Sequence, residues 1–194
     1  MIQRNVNLSR LKAGYLFPEI ARRRREFAAS HPEDPARPET RVISLGVGNT
    51  TEPIFPATDA GLVDGARRLA DAATYSGYTD EGFLELREGI SRAFYRGAFS
   101  PDEIFISDGA KCDIGRIQLL FGAGVKAAVQ DPSYPVYVDG SVLIGAAGGW
   151  TGAGYGGITY LPCTAENSYF PDLSKLEENS LFYFCSPNNP TGAT

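Results

Sequence analysis

The second half of the chain alternates short apolar segments with amphipathic ones, and this alternation constrains the fold more than any other feature. Strands are predicted at Ile104–Ser107, Ala127–Gln130, Ile158–Leu161 and Leu181–Cys185, with helices at about 110–121 and 135–147. Strands separated by helices favour a largely parallel sheet with helices on its faces. In such sheets ligands bind outside the carboxyl ends of the strands. We therefore expect an α/β fold whose site lies in the loops after the strands.

The first hundred residues predict mainly helices. Apolar residues recur at helical spacing in three segments, and a short strand with a glycine-rich loop separates the first two. The three helices are predicted after Pro18, around 62–73 and around 83–94, and the strand is predicted at Val42–Leu45. Between the last two helices, Tyr75–Gly82 holds two tyrosines and two acids, more than a turn needs. We divide the chain into an N-terminal arm with its helix, residues 1–45, and a larger domain, residues 46–194.

Charge and composition exclude several classes of function. The 194 residues carry a net charge of -5, which argues against a nucleic-acid partner because phosphate neutralisation needs a basic face. The three cysteines match neither a disulfide framework nor a metal-ligand pattern. No apolar stretch approaches the roughly 20 residues of a membrane helix, and the start lacks a signal-peptide core. These features predict a cytoplasmic protein without metal or membrane contacts.

Three loops after predicted strands carry unusual chemistry. Ser107–Lys111 opens a helix, whose free N–H groups and dipole favour an anion, most often phosphate. Asp131–Tyr137 holds Tyr134 between two prolines, an arrangement suited to stacking on a flat heteroaromatic ring. In Ser186–Gly192, Asn189 can offer an amide donor to an oxygen. Taken singly, the first loop also fits an Asp-capped helix with a solvated lysine, and the second also fits a tyrosine in the core. Together they fit a planar phosphorylated ring.

A glycine-rich segment, Gly152–Gly157, formally satisfies the dinucleotide-binding spacing. That motif requires a strand before the glycines and a helix after them. Here a predicted strand follows, so we interpret the segment as an ordinary loop.

Several sequence blocks carry a resemblance to a known family. Asn189–Gly192, with Ser186–Asn188 before it, resembles the signature of fold type I aminotransferases, which use pyridoxal 5'-phosphate. Five further blocks are more particular: Asn7–Ser9, Gly14–Phe17, Thr50–Pro53, Ile106–Ile114 and Gln130–Pro135. In combination and in this order they resemble the LL-diaminopimelate aminotransferases, over a stretch from about residue 4 to the end.

The resemblance implies a fold, a reaction and a set of site residues. The fold would be the three-layer αβα large domain of a fold type I pyridoxal-phosphate transferase, incomplete, with an N-terminal arm. The reaction would move an amino group between LL-2,6-diaminopimelate or tetrahydrodipicolinate and glutamate or 2-oxoglutarate, in lysine biosynthesis. Cofactor contacts are implied for Tyr78, Ala110, Lys111, Tyr134 and Asn189. Substrate contacts are implied for Tyr15, Gly48, Lys111, Glu81, Tyr134 and Asn189.

The implied roles differ from one position to the next. Ala110 and Lys111 would bind the cofactor's phosphate, Tyr134 would stack on its ring, and Asn189 would donate to its O3' oxygen. In this family Tyr15 and Tyr78 can reach the site across the interface of a homodimer. An acid near Tyr78 would suit the distal ammonium of a diamino acid. Because the loop after Tyr78 is shorter than usual, either Asp80 or Glu81 fills that role, and we prefer Glu81. The family usually has an acid at the position of Asn49.

The lysine that binds the cofactor covalently is expected beyond residue 194, as are the acid facing the pyridine nitrogen and the arginine for the substrate carboxylate. No catalytic residue is therefore expected within the chain, which alone should not transaminate. Two alternatives stay open: another class I/II aminotransferase acting on aspartate or an aromatic amino acid, and a non-catalytic product of a split or broken gene. A plastid location would follow if a transit peptide had been removed.

Overall fold

The computed structural model describes residues 2–11, 16–43 and 52–194. Contacts divide the chain into two compact units, Gly14–Ile106 on the one hand and Met1–Ala13 with Ser107–Thr194 on the other. We call the first the helical unit and the second the sheet unit. The α-helices are α1 (Leu16–Ser30), α2 (Pro56–Ala70), α3 (Leu84–Ala93), α4 (Ala110–Phe121) and α5 (Pro135–Leu143), and the strands are β1 (Lys126–Asp131), β2 (Ile158–Pro162) and β3 (Ser180–Tyr183).

The sheet unit is built around β1, which lies between β2 and β3 and runs parallel to both. Ala127, Ala128 and Val129 are almost completely buried, as expected of a central parallel strand. The register places Ala127 opposite Ile158 and Leu181, so the three strands end at the same edge. The loops after β1 and β3 both leave from that edge.

Helices α4 and α5 complete the sheet unit. Tyr137 and Val142 of α5 are buried in one apolar cluster with Val129 and Tyr183 of the sheet. Gln118 of α4 joins the two helices, because its Nε2 donates to the carbonyl of Tyr137 at 3.0 Å. The predicted alternation of strands and helices is confirmed for the part of the chain from α4 to β3.

The N-terminal residues of the chain pack on the end of α5. The side-chain amides of Asn5 and Asn7 both donate to the carbonyl of Leu143, at 3.0 and 3.2 Å. A helix leaves its last carbonyls without intrahelical partners, and the two amides satisfy one of them. Leu11 packs against the same apolar cluster as α5.

The helical unit contains α1, α2 and α3. On α1, Arg22 pairs with Glu19 at 2.6 Å and with Glu26 at 2.6 Å, and the four consecutive arginines Arg22–Arg25 are all exposed. The α1 helix begins at Leu16, earlier than the sequence suggests, because Pro18 is tolerated in a first turn.

Some predicted elements differ in the structure. The strand expected at Ile104–Ser107 does not form: the segment has no regular secondary structure, belongs to no strand of the described sheet, and Phe105 is exposed. The helix expected to reach residue 147 ends at Leu143, where Gly145 turns the backbone at φ +88°. The last strand ends at Tyr183 instead of Cys185. Val42 and Ile43 belong to no strand, and the rest of that predicted strand lies outside the described residues.

The domain boundary at residue 45 stays a prediction. Among the helices in the described part of the chain, none has the length and apolar composition needed to cross a membrane.

Candidate functional site

The amino end of α4 presents backbone donors that no described side chain caps. Gly109 precedes the helix at φ +123°, a conformation that favours glycine, and its carbonyl accepts the N–H groups of Cys112 and Asp113. The N–H groups of Ala110 and Lys111 find no acceptor among the described residues. Together with the helix dipole, these two donors form a place for an anion.

Of the two cations in this part of α4, Arg116 forms ion pairs and Lys111 forms none with the described residues. Arg116 contacts Asp108 at 2.7 Å and Asp113 at 3.1 Å, while Ser107 donates its hydroxyl to Asp113. Lys111 is exposed and makes no ion pair within the described ranges. Its positive charge therefore remains available to an anion at the amino end of the helix.

The ion pair at Asp108 also sets the ionisation of its neighbours. The pKa of Asp108 is held below its ordinary value, first by the hydrogen bond from Arg116 and then by one from Cys112. The same Asp108 raises the pKa of the Cys112 thiol. A cysteine in the first turn of a helix often has a lowered pKa, but here the carboxylate opposes the dipole. Cys112 is therefore a poor nucleophile near neutral pH.

Tyr134 lies in the loop between β1 and α5, after the cis peptide bond Asp131–Pro132. Its half-buried ring packs edge-to-face on Tyr137, with centroids 5.8 Å apart, and Tyr137 stacks on Tyr183 at 4.7 Å. Burial is the main cause that raises the pKa of Tyr137 to about 12, with Cys185 as a second cause. The aromatic group behind Tyr134 is thus uncharged at neutral pH and supports its ring from one side.

Asn189 lies in the loop after β3, between the cis peptide bonds Ser186–Pro187 and Asn189–Pro190. Its side chain is exposed and forms no hydrogen bond to any part of the chain that the structure describes. The loop around it is closed by two short backbone bonds, from Asn188 to Ala193 and from Gly192 to Asn188, each 2.7 Å. The amide of Asn189 is therefore available as a donor on a loop that is closed by backbone hydrogen bonds.

Two buried amides bring the loops of Tyr134 and Asn189 together. Asn188 Nδ2 donates to the carbonyl of Pro132 at 3.0 Å, and Gln130 Oε1 accepts the N–H of Cys185 at 2.7 Å. Sequence reasoning assigned no role to either residue. A glutamine inside the apolar run of β1 was the available signal, because a buried amide needs a partner.

The helical unit holds the other predicted site residues that the structure describes. Tyr78 is fully exposed, and the carboxylate of Glu81 lies 3.3 Å from the guanidinium of the buried Arg87. Tyr15, Gly48 and Asn49 lie outside the described residues. In the described ranges, no group of three or more His, Cys, Asp or Glu side chains is arranged to hold a metal ion.

The site is thus built on a parallel sheet with an open helix end and two loops that are bonded to each other. The chain belongs to the family of class I and II aminotransferases, whose model matches residues 40–194. Members of this family use pyridoxal 5'-phosphate, and the sheet unit is a partial version of their fold type I domain.

Three relatives that match nearly the whole chain are LL-diaminopimelate aminotransferases. The chain is 47% identical to the LL-diaminopimelate aminotransferase of Protochlamydia amoebophila, over 100% of this chain and 46% of that protein. It is 48% identical to the chloroplastic LL-diaminopimelate aminotransferase of Arabidopsis thaliana, over 99% of this chain and 41% of that one. The structure of the L,L-diaminopimelate aminotransferase from Chlamydomonas reinhardtii superimposes with a TM-score of 0.85, at 49% identity, over 99% of this chain and 46% of that one. The chain thus spans less than half the length of these relatives.

The observed side chains suit the chemistry of pyridoxal 5'-phosphate. A phosphate needs N–H donors and a cation, and the amino end of α4 offers two N–H groups and Lys111, none of which has a partner among the described residues. A flat ring needs an apolar face, and a ring oxygen needs a donor. Tyr134 and Asn189 offer these from loops that are bonded to each other.

Proposed function

We propose that the chain is the cofactor-binding half of an aminotransferase that acts on LL-2,6-diaminopimelate. In this proposal an amino group moves between LL-2,6-diaminopimelate or tetrahydrodipicolinate and glutamate or 2-oxoglutarate, as a step of lysine biosynthesis. The observation that carries the proposal is the amino end of α4 with Lys111, neither capped nor paired by any described residue, in the same unit as Tyr134 and Asn189. The names of the relatives support the choice of substrate.

Each residue has a stated task in this proposal. The N–H groups of Ala110 and Lys111, with the ammonium group of Lys111, bind the phosphate. Tyr134 packs against the ring, and Asn189 donates to the O3' oxygen and so favours its anionic form. Tyr78 adds a further cofactor contact. Pyridoxal 5'-phosphate supplies the electron sink for the reaction. The lysine that binds its aldehyde belongs to the part of the family's length that this chain does not span.

The substrate contacts are assigned to Tyr15, Gly48, Lys111, Tyr134, Asn189 and Glu81. Glu81 would bind the distal ammonium of the diamino acid. Its contact with Arg87 does not prevent this, since the Glu81 side chain keeps 60% of its surface exposed and a carboxylate accepts several hydrogen bonds. Arg87 then fixes the direction in which Glu81 points. Asp80 is the alternative for this task.

The remaining parts of the proposal concern assembly and location. Two copies of the complete enzyme form a homodimer with the active site at the interface, where Tyr15 and Tyr78 reach the site of the partner copy. The substrates are small amino acids and oxo acids. The location is cytoplasmic, or the plastid stroma if a transit peptide directs the protein there.

An assay of the full natural polypeptide tests the function. Loaded with pyridoxal phosphate, it is mixed with 2-oxoglutarate and either LL-2,6-diaminopimelate, aspartate or phenylalanine, and glutamate is quantified. We expect kcat/KM for the diamino acid to exceed the others by about a hundredfold, because only the diamino acid has a distal ammonium that can bond to Glu81. A preference for aspartate or phenylalanine would place the enzyme elsewhere in the family. Cofactor binding without glutamate formation would indicate a non-catalytic protein.

A further inference from the structure

The loop after β3 is joined to β1 and its loop by side chains instead of by the sheet. Backbone pairing between β1 and β3 ends at Val129 and Tyr183. Beyond that point the N–H of Cys185 bonds at 2.7 Å to the side-chain oxygen of Gln130, the second-last residue of β1. The side chain thus takes the place of the next backbone acceptor in the sheet.

Asn188 makes the reciprocal connection, from the loop after β3 back to the loop after β1. Its Nδ2 donates to the carbonyl of Pro132 at 3.0 Å and to the hydroxyl of Thr191 at 3.1 Å. Asn188 and Gln130 are each only 3% exposed. Two buried amide side chains that reach across the same gap from opposite sides hold the loops at one separation.

The orientation of the Asn188 amide is set by Pro132. A carbonyl only accepts, so the nitrogen of the amide must face it. This orientation leaves Asn188 Oδ1 buried without a partner among the residues that the structure describes. The amide nitrogen of Asn188 therefore carries both of its contacts, to Pro132 and to Thr191.

We propose that Gln130 and Asn188 are positioning residues that set the separation between Tyr134 and Asn189. Tyr134 follows Pro132 by two residues, and Asn189 follows Asn188 directly, so each amide acts next to one ligand of the proposed cofactor. Neither amide touches the cofactor. The proposal rests on the proposed function, because Tyr134 and Asn189 matter as a pair only if one planar ligand contacts both.

The test uses two variants and one matched control in the full natural polypeptide. Gln130→Met removes the acceptor for Cys185 at nearly constant volume, and Asn188→Asp places a carboxylate opposite the Pro132 carbonyl. The control is Gln118→Met, which removes an amide that is 2% exposed. Among the described residues the polar contacts of Gln118 are with Tyr137, Ser141 and Tyr183, which lie in α5 and β3, and with neither loop. All three variants are expected to lower the unfolding temperature, because each loses a buried hydrogen bond.

Measurements of cofactor binding distinguish a positioning role of the two amides from a contribution to stability alone. We expect the dissociation constant of pyridoxal phosphate, from absorbance titration, to rise about tenfold in Gln130→Met and Asn188→Asp and to stay within about twofold in Gln118→Met. The pH midpoint of the bound cofactor's absorbance should shift upward in the first two only, because a misplaced Asn189 no longer stabilises the anionic ring oxygen. Unchanged affinity and midpoint in both variants would overturn the proposal.

A readout without cofactor keeps this proposal distinct from the proposed function. Hydrogen exchange of the amides in residues 184–193, measured on the apoprotein, should accelerate in Gln130→Met and Asn188→Asp relative to Gln118→Met. If the wild-type protein bound no pyridoxal phosphate, the proposed function would fail, while faster exchange would still support the positioning role. Equal exchange in all three variants would refute that role in either case.

Discussion

The first turn of α4 carries one cation, Lys111, that no carboxylate in the described ranges neutralises. Arg116, one turn further along the same helix, is held by Asp108 and Asp113 at 2.7 and 3.1 Å. A cation that is already paired contributes little to an incoming phosphate, whereas a free one forms a charge-assisted bond. At the scale of single residues, Lys111 is therefore the charge on which anion binding depends.

Replacing Lys111 tests this dependence. Lys111→Met in the full natural polypeptide should raise the dissociation constant of pyridoxal phosphate about tenfold, because one charge-assisted hydrogen bond to the phosphate is lost. Absorbance titration measures it, and inorganic phosphate should compete less well in the variant. The matched control is Lys175→Met, since Lys175 is exposed and pairs with Asp172 at 3.8 Å. Equal losses in the two variants would mean that Lys111 acts only through the protein's net charge.

At the scale of elements, Arg87 holds α3 to two neighbouring segments. Its buried guanidinium contacts Glu81 at 3.3 Å in the preceding loop, and the carbonyl of Pro101 at 2.7 Å and Asp102 at 3.4 Å in the turn that follows α3. A buried arginine is stable only when such partners surround it. The same contacts fix the loop that carries Tyr78 and Glu81.

Removing the guanidinium should loosen this part of the helical unit. We expect Arg87→Met to lower the free energy of local opening of α3 by about 2 kcal/mol, measured by native-state hydrogen exchange. The cost stays moderate because Glu81 and Asp102 are largely exposed and regain water. Arg92→Met, an exposed position on the same helix, should leave the exchange of α3 nearly unchanged. A similar effect in both variants would show that Arg87 contributes no more than helix propensity.

At the scale of the whole molecule, the described sheet has three strands and ends on both sides in strands, β2 and β3, that no further described strand covers. Apolar side chains of the sheet unit are also exposed, among them Leu119, Leu120, Phe121 and Phe184. Unpaired edges and clustered apolar surface are typical of interfaces or of aggregation sites. The relatives are more than twice as long as the stretch that the chain matches.

The 194-residue chain by itself should therefore self-associate. We also expect that it does not turn over substrate. In size-exclusion chromatography we expect soluble aggregates that bind a hydrophobic dye, with less of both for Leu120→Lys, which places a charge on the exposed face. Borohydride treatment with pyridoxal phosphate should label no single lysine stoichiometrically. A stable, well-folded monomer would contradict the first expectation, and specific labelling with glutamate formation the second.

The sequence by itself determined the order of the elements in the sheet unit and the residue types of the site. Helical spacing located α4, and apolar runs located β1 and β2 to within about one residue, because burial against a core imposes these periods locally. The motif blocks also pointed to Ala110, Lys111, Tyr134 and Asn189, whose roles stay predictions. Glycine, proline and asparagine next to strand ends are local signals that are visible in the sequence before the fold is known.

Only the tertiary structure decided which distant groups pair. The bonds of Gln130 to Cys185 and of Asn188 to Pro132 join residues more than fifty positions apart, and the pairing of Glu81 with Arg87 depends on how the loop meets α3. The apolar run at Ile104–Ser107 is also predicted wrongly from local sequence. A β-strand requires a neighbouring strand to pair with, and the residues of the run do not reveal whether one is present. Local sequence sets conformational preference, but hydrogen bonds and ion pairs between distant segments exist only once the chain has folded.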